Sequence, residues 1–410
     1  MLKLDLIHTL AFAGCALFVG YALRGALRPL ARYNVPAPVV GGLLVALVIL
    51  LARSRGVELV SFDTTLQAPL MVAFFTSVGF GASYSLLRVG GPQVLLLFGI
   101  STAFALAQNL LGGGLAVALG LHPLVGVIAG AVTLAGGPAT GLAFGPLFEK
   151  AGVPAATTLA VASAMVGIVS AGLIGGPIGT HLIRRHLRRE PASSTQEVEL
   201  PPAKNVVEDR MGEAPAEAPR GEDRETYGLL KALVAILVAM WAGSWVSQLF
   251  ASWGVTLPAY IGAMLVAAAL RNLDDLTGWV GFSQRAIDDL GGVALALFIV
   301  MALMTLRLWE IAGLALPLVV ILLAQVALVA AACLWLMFRV MGRDYDAAVM
   351  SGGFCGFMLG TTANAMANME ALAEKYGTAR RAFLVVPMVG AFFIDFTNAL
   401  LITAFLNFWK

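Results

Sequence analysis

Near the end of this chain an aspartate interrupts an apolar run, Gly390-Ala-Phe-Phe-Ile-Asp-Phe-Thr-Asn-Ala399. A carboxylate at membrane depth costs roughly 2.5–3.5 kcal/mol on insertion scales, so Asp395 must face a polar interior. Asn398 follows at i+3 on the same helical face, and Thr397 adjoins it. A carboxylate with amide and hydroxyl oxygens suits a hard monovalent cation such as Na⁺, or a proton. The plainer alternative is a structural aspartate held by backbone donors. A second polar group, Gly360, Thr361, Thr362, Asn364 and Asn368, closes the glycine-rich run that starts at Ser351. Asn364 and Asn368 are i, i+4, and Asn can both donate and accept. A third group, Thr133, Gly136, Gly137, Thr140 and Gly141, offers backbone more than side chains. N–H groups at a helix start beyond such a break aim a positive dipole end at an anion, for example a carboxylate. Interhelical hydrogen bonding and close small-residue packing are the plain readings of the last two groups.

The elements that position these residues are membrane helices. The chain of 410 residues is 59% hydrophobic and 12% charged, with mean hydropathy +0.87, which no soluble chain of this length could bury. An all-α polytopic protein follows. Spans are predicted at 5–28, 36–53, 67–87, 93–120 and 154–183, and again at 227–250, 255–271, 286–306, 316–339 and 380–407. The first is longer than a signal-peptide core and is read as a retained span. Two apolar segments remain, 122–150 and 345–376, and each contains one polar, glycine-rich break. The piece 122–135 would reach only about 21 Å as a helix, short of a hydrocarbon core of about 30 Å. Both segments are therefore read as re-entrant hairpins. Irregular backbone survives at membrane depth only when buried in protein or lining an aqueous cavity. A matched pair of interrupted segments, one per half, is the sequence mark of a transporter's binding site.

With both hairpins re-entrant and both termini outside, all but six (Lys3, Arg53, Arg55, Lys150, Arg307 and Lys410) of the 26 Lys and Arg face the cytoplasm. The proline-rich, acidic stretch 191–225 is read as a flexible cytoplasmic linker between repeats at 3–190 and 226–410. Met165-Val-Gly167 recurs as Met388-Val-Gly390, and Gly137 falls on Gly360, both at an offset of 223. Glu149-Lys150-x-Gly152 recurs as Glu374-Lys375-x-Gly377. Five spans is an odd number, so the second repeat is inverted and the two hairpin tips can meet near the midplane.

Enzyme signatures are missing: the sequence has no HExxH, no Walker loop and no nucleophile elbow. His8, His122, His181 and His186 do not cluster, and Cys15, Cys333 and Cys355 read as small packing residues. Gln108, Asn109 and Gln325 read as helix-to-helix hydrogen bonds. No cofactor, transition-metal or nucleic-acid site is expected.

Several stretches carry a resemblance to the bacterial sodium/glutamate symporter family. They are Val35-Pro-Ala-Pro-Val-Val-Gly-Gly-Leu-Leu44, Pro69-Leu-Met-Val-Ala-Phe-Phe75, Met301-Ala-Leu-Met304 with Leu308-Trp-Glu310, Asp344-Tyr-Asp-Ala-Ala-Val349 and Phe383-Leu-Val-Val-Pro-Met-Val-Gly-Ala-Phe-Phe-Ile-Asp395. The resemblance covers nearly the whole chain. It implies a multi-pass protein of the bacterial inner membrane, Na⁺-coupled uptake of glutamate, two inverted five-span repeats, a homodimer and an elevator-like motion. The family's loops typically read Gly-Gly-His-Gly-Thr-Gly and Gly-His-Cys-Gly; here Pro138 and Phe354 stand at the histidine places. The substrate expected is therefore glutamate or a related amino acid or organic anion. Substrate would meet Thr133, Gly136, Gly137, Thr140, Gly141, Gly360, Thr361, Thr362 and Asn364, and Na⁺ would meet Asp395, Asn398 and Asn368. A proton-coupled or exchange transporter of another small anion on the same fold remains the alternative.

Overall fold

A computed structural model describes residues 2–57, 59–84, 91–187, 224–253, 258–306, 308 and 315–409. The linker at 191–225 lies outside the described residues except for Arg224 and Glu225, as do Trp309 and Glu310. The protein is polytopic and mostly helical. Seven helices among the described residues are long and apolar enough to cross a membrane. The spans predicted at 67–87, 255–271 and 380–407 correspond to Gln67–Gly81, Ala259–Thr277 and a run from Arg380 to Phe408 that is interrupted by a π-helical turn.

The helices fall into two groups by what they pack against. The first holds α1 (Leu6–Ala26), the short α2 (Arg28–Arg32), α3 (Ala37–Ser54), α4 (Gln67–Gly81), α9 (Arg224–Ser252), α10 (Ala259–Thr277) and α11 (Gln284–Met304). The second holds α5 (Gly91–Ala118), α6 (Pro123–Val127), α7 (Gly137–Lys150), α8 (Ala156–Leu182), α12 (Ala315–Ala331), α13 (Tyr345–Leu359), α14 (Thr362–Tyr376), α15 (Arg380–Met388) and α16 (Ile394–Phe408). Packing within each group is extensive, while few helices touch across the division, chiefly α11 on α7 and the α15–α16 junction on α4.

Small residues let the helices close up, since lipid gives no hydrophobic drive between spans. A Cβ on Gly20 would lie 2.8 Å from the Gly41 nitrogen, and one on Gly262 would lie 2.3 Å from the Gly243 carbonyl oxygen. The outward faces stay apolar: Ile7, Phe18, Leu51, Leu237, Trp241 and Leu323 are all exposed, as a lipid-facing surface requires. Cys15 lies on such an exposed face, so its expected packing role does not hold, whereas Cys333 and Cys355 are buried.

Both glycine-rich segments fold as broken helix pairs. α6 passes into a π-helical turn, Ile128–Val132, in which Gly130 leaves helical geometry at φ −102°, ψ −135°. The chain resumes as α7 after Gly136. In the other half α13 ends at Gly360 (φ −149°, ψ −107°) and α14 starts after Thr361. α15 contains Pro387 and runs through the π-helical turn Val389–Phe393 into α16, a common consequence of a helix-interior proline.

Candidate functional site

The two breaks meet. A Cβ on Gly137 would stand 3.5 Å from both the Gly360 carbonyl oxygen and Thr361 Cγ2. Gly137 adopts φ +64°, the left-handed region that glycine reaches without strain. Pro138 follows inside the first turn of α7, where its missing N–H costs nothing.

Adjacent residues of α5 hold one break each. Asn109 Oδ1 accepts the Ala131 N–H at 2.9 Å. Gln108 Nε2 donates to the Met358 carbonyl at 3.1 Å, in the last turn of α13. Gln325 Nε2 in turn donates to the Gln108 carbonyl at 2.7 Å. These were expected to tie helix to helix. What Gln108 and Asn109 engage is the backbone at and beside the breaks, which lipid could not satisfy.

Asn398 Nδ2 donates to the Ala131 carbonyl at 2.8 Å, so Ala131 is gripped from α5 and from α16. Asn398 is 1% exposed, and its Oδ1 has no partner among the described residues. One turn earlier, Asp395 is half-buried, and among the described residues no donor or cation engages its carboxylate. Thr397 Oγ1 lies 3.2 Å from Thr102 Oγ1 of α5. Beside Thr102, Ser101 is fully buried with its hydroxyl unpartnered. A buried oxygen without a partner costs about 1–3 kcal/mol, so the unsatisfied Asn398 oxygen, one turn from the bare Asp395 carboxylate, fits a cation. Sequence reading missed Ser101; a serine within an apolar span is too common to stand out.

The other predicted residues are placed as follows. Thr361 caps α14, accepting the Asn364 N–H at 3.4 Å and donating to Asn364 Oδ1 at 2.8 Å. Asn364 Nδ2 donates to the Tyr33 carbonyl (3.2 Å) and to the Ile168 carbonyl (3.3 Å). Asn368 Nδ2 donates to the carbonyls of Ala171 (3.1 Å) and Gly352 (3.2 Å). Both amides thus fasten α14 to α8. Asn368 belongs to that seam, and no bond joins it to Asp395 or Asn398. Thr362 Oγ1 donates to the Gly390 carbonyl at 2.6 Å, joining this break to the π-helical turn before Asp395. Thr133 Oγ1 returns to the Ile128 carbonyl at 2.7 Å within its own segment. Gly136 packs on Thr140, and Gly141 on Ala160, too closely for a larger residue at Gly136. Phe354 is fully buried, with its ring 5.3 Å from Phe104 and 5.4 Å from Phe357.

Comparison with known proteins settles the lineage. The family profile described as Sodium/glutamate symporter matches residues 2–378. The chain is 41% identical to the sodium/glutamate symporter of Escherichia coli (strain K12) over 408 residues, covering 99% of this chain and 98% of that protein. It is 38% identical over 399 residues to the Haemophilus influenzae sodium/glutamate symporter, covering 96% and 95% of the two chains. The chain belongs to the sodium/glutamate symporter family. As a member of that symporter family it is a transporter rather than an enzyme, and it is a multi-pass membrane protein. Within the sodium/glutamate symporters both breaks fall inside the family match. Asp395 and Asn398 lie beyond its last residue, in the part aligned with the full-length relatives.

Proposed function

We propose that this symporter carries Na⁺ together with glutamate, or a related amino acid or organic anion, into the cell by alternating access. The observation that carries the reading is the contact of Gly137 with Gly360 and Thr361, which brings two helix starts, those of α7 and α14, to one place. Their positive dipole ends suit a substrate carboxylate. Na⁺ would sit beside them, taking the Asp395 carboxylate, Asn398 Oδ1 and the Ser101 hydroxyl. Each charge moving down 100 mV supplies about 2.3 kcal/mol to accumulation.

The reading includes two inverted repeats with re-entrant hairpins, and helix packing supports it. The glycine contact between α1 and α3 (Gly20 on Gly41) has its counterpart between α9 and α10 (Gly243 on Gly262). Likewise α3 packs on α11 as α10 packs on α4. Both pairings survive the exchange of one half for the other. The lysine and arginine distribution supports a cytoplasmic linker and outer termini. A cavity of about 780 Å³ lies one turn beyond Asn368, between α8 and α14, lined by Gly176, Thr180, Arg184, Leu372 and Lys375. It opens at the arginine-bearing end, as a mouth toward the cytoplasm would. The two packing groups are the natural units of an elevator-like motion, with the group holding both breaks as the moving one.

The test is uptake of labelled L-glutamate into proteoliposomes with and without an inward Na⁺ gradient. Na⁺-driven accumulation is expected. Uptake driven by a pH gradient and indifferent to Na⁺ would replace this reading with proton coupling. Na⁺ binding without glutamate uptake would move the substrate to another anion.

A further inference from the structure

Away from the breaks, a second cavity of about 460 Å³, which shares His181 and Arg185 with the first, lies where the end of α8 meets the helical segment 332–340 that continues α12. Its lining is of two kinds. His181 comes from the end of α8 and Arg185 and His186 from the π-helical turn Ile183–Leu187 that follows it, while Arg339 comes from the short helix Phe338–Val340 beyond α12 and Arg343 from the turn after it, with no Asp or Glu among them. Leu182, Leu334, Trp335 and Phe338 form an apolar wall, with the His186 ring 4.9 Å from that of Phe338. Trp335 is 65% exposed, and Trp favours exposed positions at a membrane interface. None of the three arginines has an ion pair or hydrogen bond among the described residues. The carboxylate nearest to Arg339 and Arg343 in sequence, Asp344, is committed elsewhere: Arg381 Nη2 reaches its two oxygens at 2.6 and 2.7 Å, and Asp344 Oδ1 accepts the Ala347 N–H at 2.9 Å.

The arginines' convergence matters more than their number. Orientation by positive charge needs arginines only on one side of the membrane, in any arrangement. Here residues more than 150 positions apart in the sequence close on one cavity with an apolar side open to lipid. We propose that this cavity binds the headgroup of an anionic phospholipid. The phosphodiester would meet Arg185, Arg339 and Arg343, and the acyl chains would leave over Trp335 and Leu334. A free phosphate would use the same cations but gain nothing from the apolar wall, and a zwitterionic lipid would use the wall but meet excess positive charge.

The experiment is native mass spectrometry of the delipidated, detergent-purified full chain, titrated separately with phosphatidylglycerol, phosphatidylcholine and inorganic phosphate. Phosphatidylglycerol should bind first and tightest. Each of Arg185→Gln, Arg339→Gln and Arg343→Gln should lower its affinity about fivefold, and the triple variant roughly a hundredfold. The single variants keep the proposal testable if the triple variant fails to insert. Equal binding of phosphatidylcholine, binding of phosphate as tight as that of phosphatidylglycerol, or single variants that bind phosphatidylglycerol like the parent would each overturn it. None of these readouts depends on transport, so their failure is distinct from failure of the symport reading.

Discussion

Two glycines allow the meeting of the breaks to be tested against an internal control. Gly137 has φ +64°, and Gly278, just past the end of α10, has φ +63°. A side chain in that region costs about 1–2 kcal/mol, so Gly137→Ala and Gly278→Ala should destabilise the protein equally. Their surroundings differ. The new Cβ at Gly137 would stand 3.5 Å from Gly360 and Thr361, while at Gly278 nothing lies within 4 Å. At 3.5 Å the methyl does not clash, but it fills the space between the tips. Substrate displaced by that methyl loses contacts beyond the backbone strain, and a loss of ~1–2 kcal/mol lowers affinity about 5- to 30-fold. Thermal unfolding in detergent should show both variants lowered alike, by about 2–4 °C per kcal/mol or less in a chain of this size. Na⁺-driven glutamate uptake should show a raised KM for Gly137→Ala alone. Equal KM values in the two variants would refute the placement of substrate at the breaks. An undiminished Tm in Gly137→Ala would refute the left-handed backbone itself.

Other substitutions probe the neighbouring groups. Asp395→Asn should abolish activation of uptake by Na⁺; a Na⁺ titration like that of the parent would remove Asp395 from the ion site. Asn109→Ala leaves the buried Ala131 N–H bare and should cost about 1–3 kcal/mol of stability, read as a lowered Tm, together with weaker Na⁺ activation through Asn398. Should that variant unfold and transport like the parent, Asn109 does not hold the break. Phe354→His places a polar ring in a fully buried aromatic cluster and should lower stability by about 1–3 kcal/mol without improving glutamate affinity. A gain in affinity at unchanged Tm would show that position 354 faces substrate after all.

Much of this arrangement could be read from the residues. The breaks are visible because glycine and threonine interrupt runs that are otherwise apolar, and the 223-residue offset pairs Gly137 with Gly360, the two that touch. Asp395 stands out because a carboxylate is costly in lipid. What the sequence hides is who holds the irregular backbone. Gln108 reaches Met358 and Asn109 reaches Ala131 across separations that no helical period encodes. The role of Phe354 was hidden too: a lost histidine suggested a change at the substrate, yet the ring packs against Phe104 and Phe357. Asn364 and Asn368 read as ligands rather than as interhelical locks, though the sequence cannot separate the two because both uses need the same face. The structure spends both amides on carbonyls of the neighbouring helix.

Those amides also bear on how one helix group could move against the other. Asn364 Nδ2 is shared between Ile168 of α8, in its own group, and Tyr33, in the turn before α3 of the other group. Gly172 of α8 faces the same Tyr33, since a Cβ there would lie 3.4 Å from its ring. A rigid shift of the group holding both breaks keeps the Ile168 bond and breaks the Tyr33 bond. The net worth of one such hydrogen bond is about 0.5–1.5 kcal/mol, small enough to break and remake in a cycle driven by about 2.3 kcal/mol per charge at 100 mV. The bonds inside the group holding both breaks are many: Asn109 and Asn398 on Ala131, Gln108 on Met358, Thr362 on Gly390, Asn368 on Ala171 and Gly352. They tie the two breaks, Asp395 and α8 into one piece. Ion and substrate sites built on that piece would travel together, and coupling then needs no signal passed between them. It needs only that the piece move when both sites are filled or both are empty.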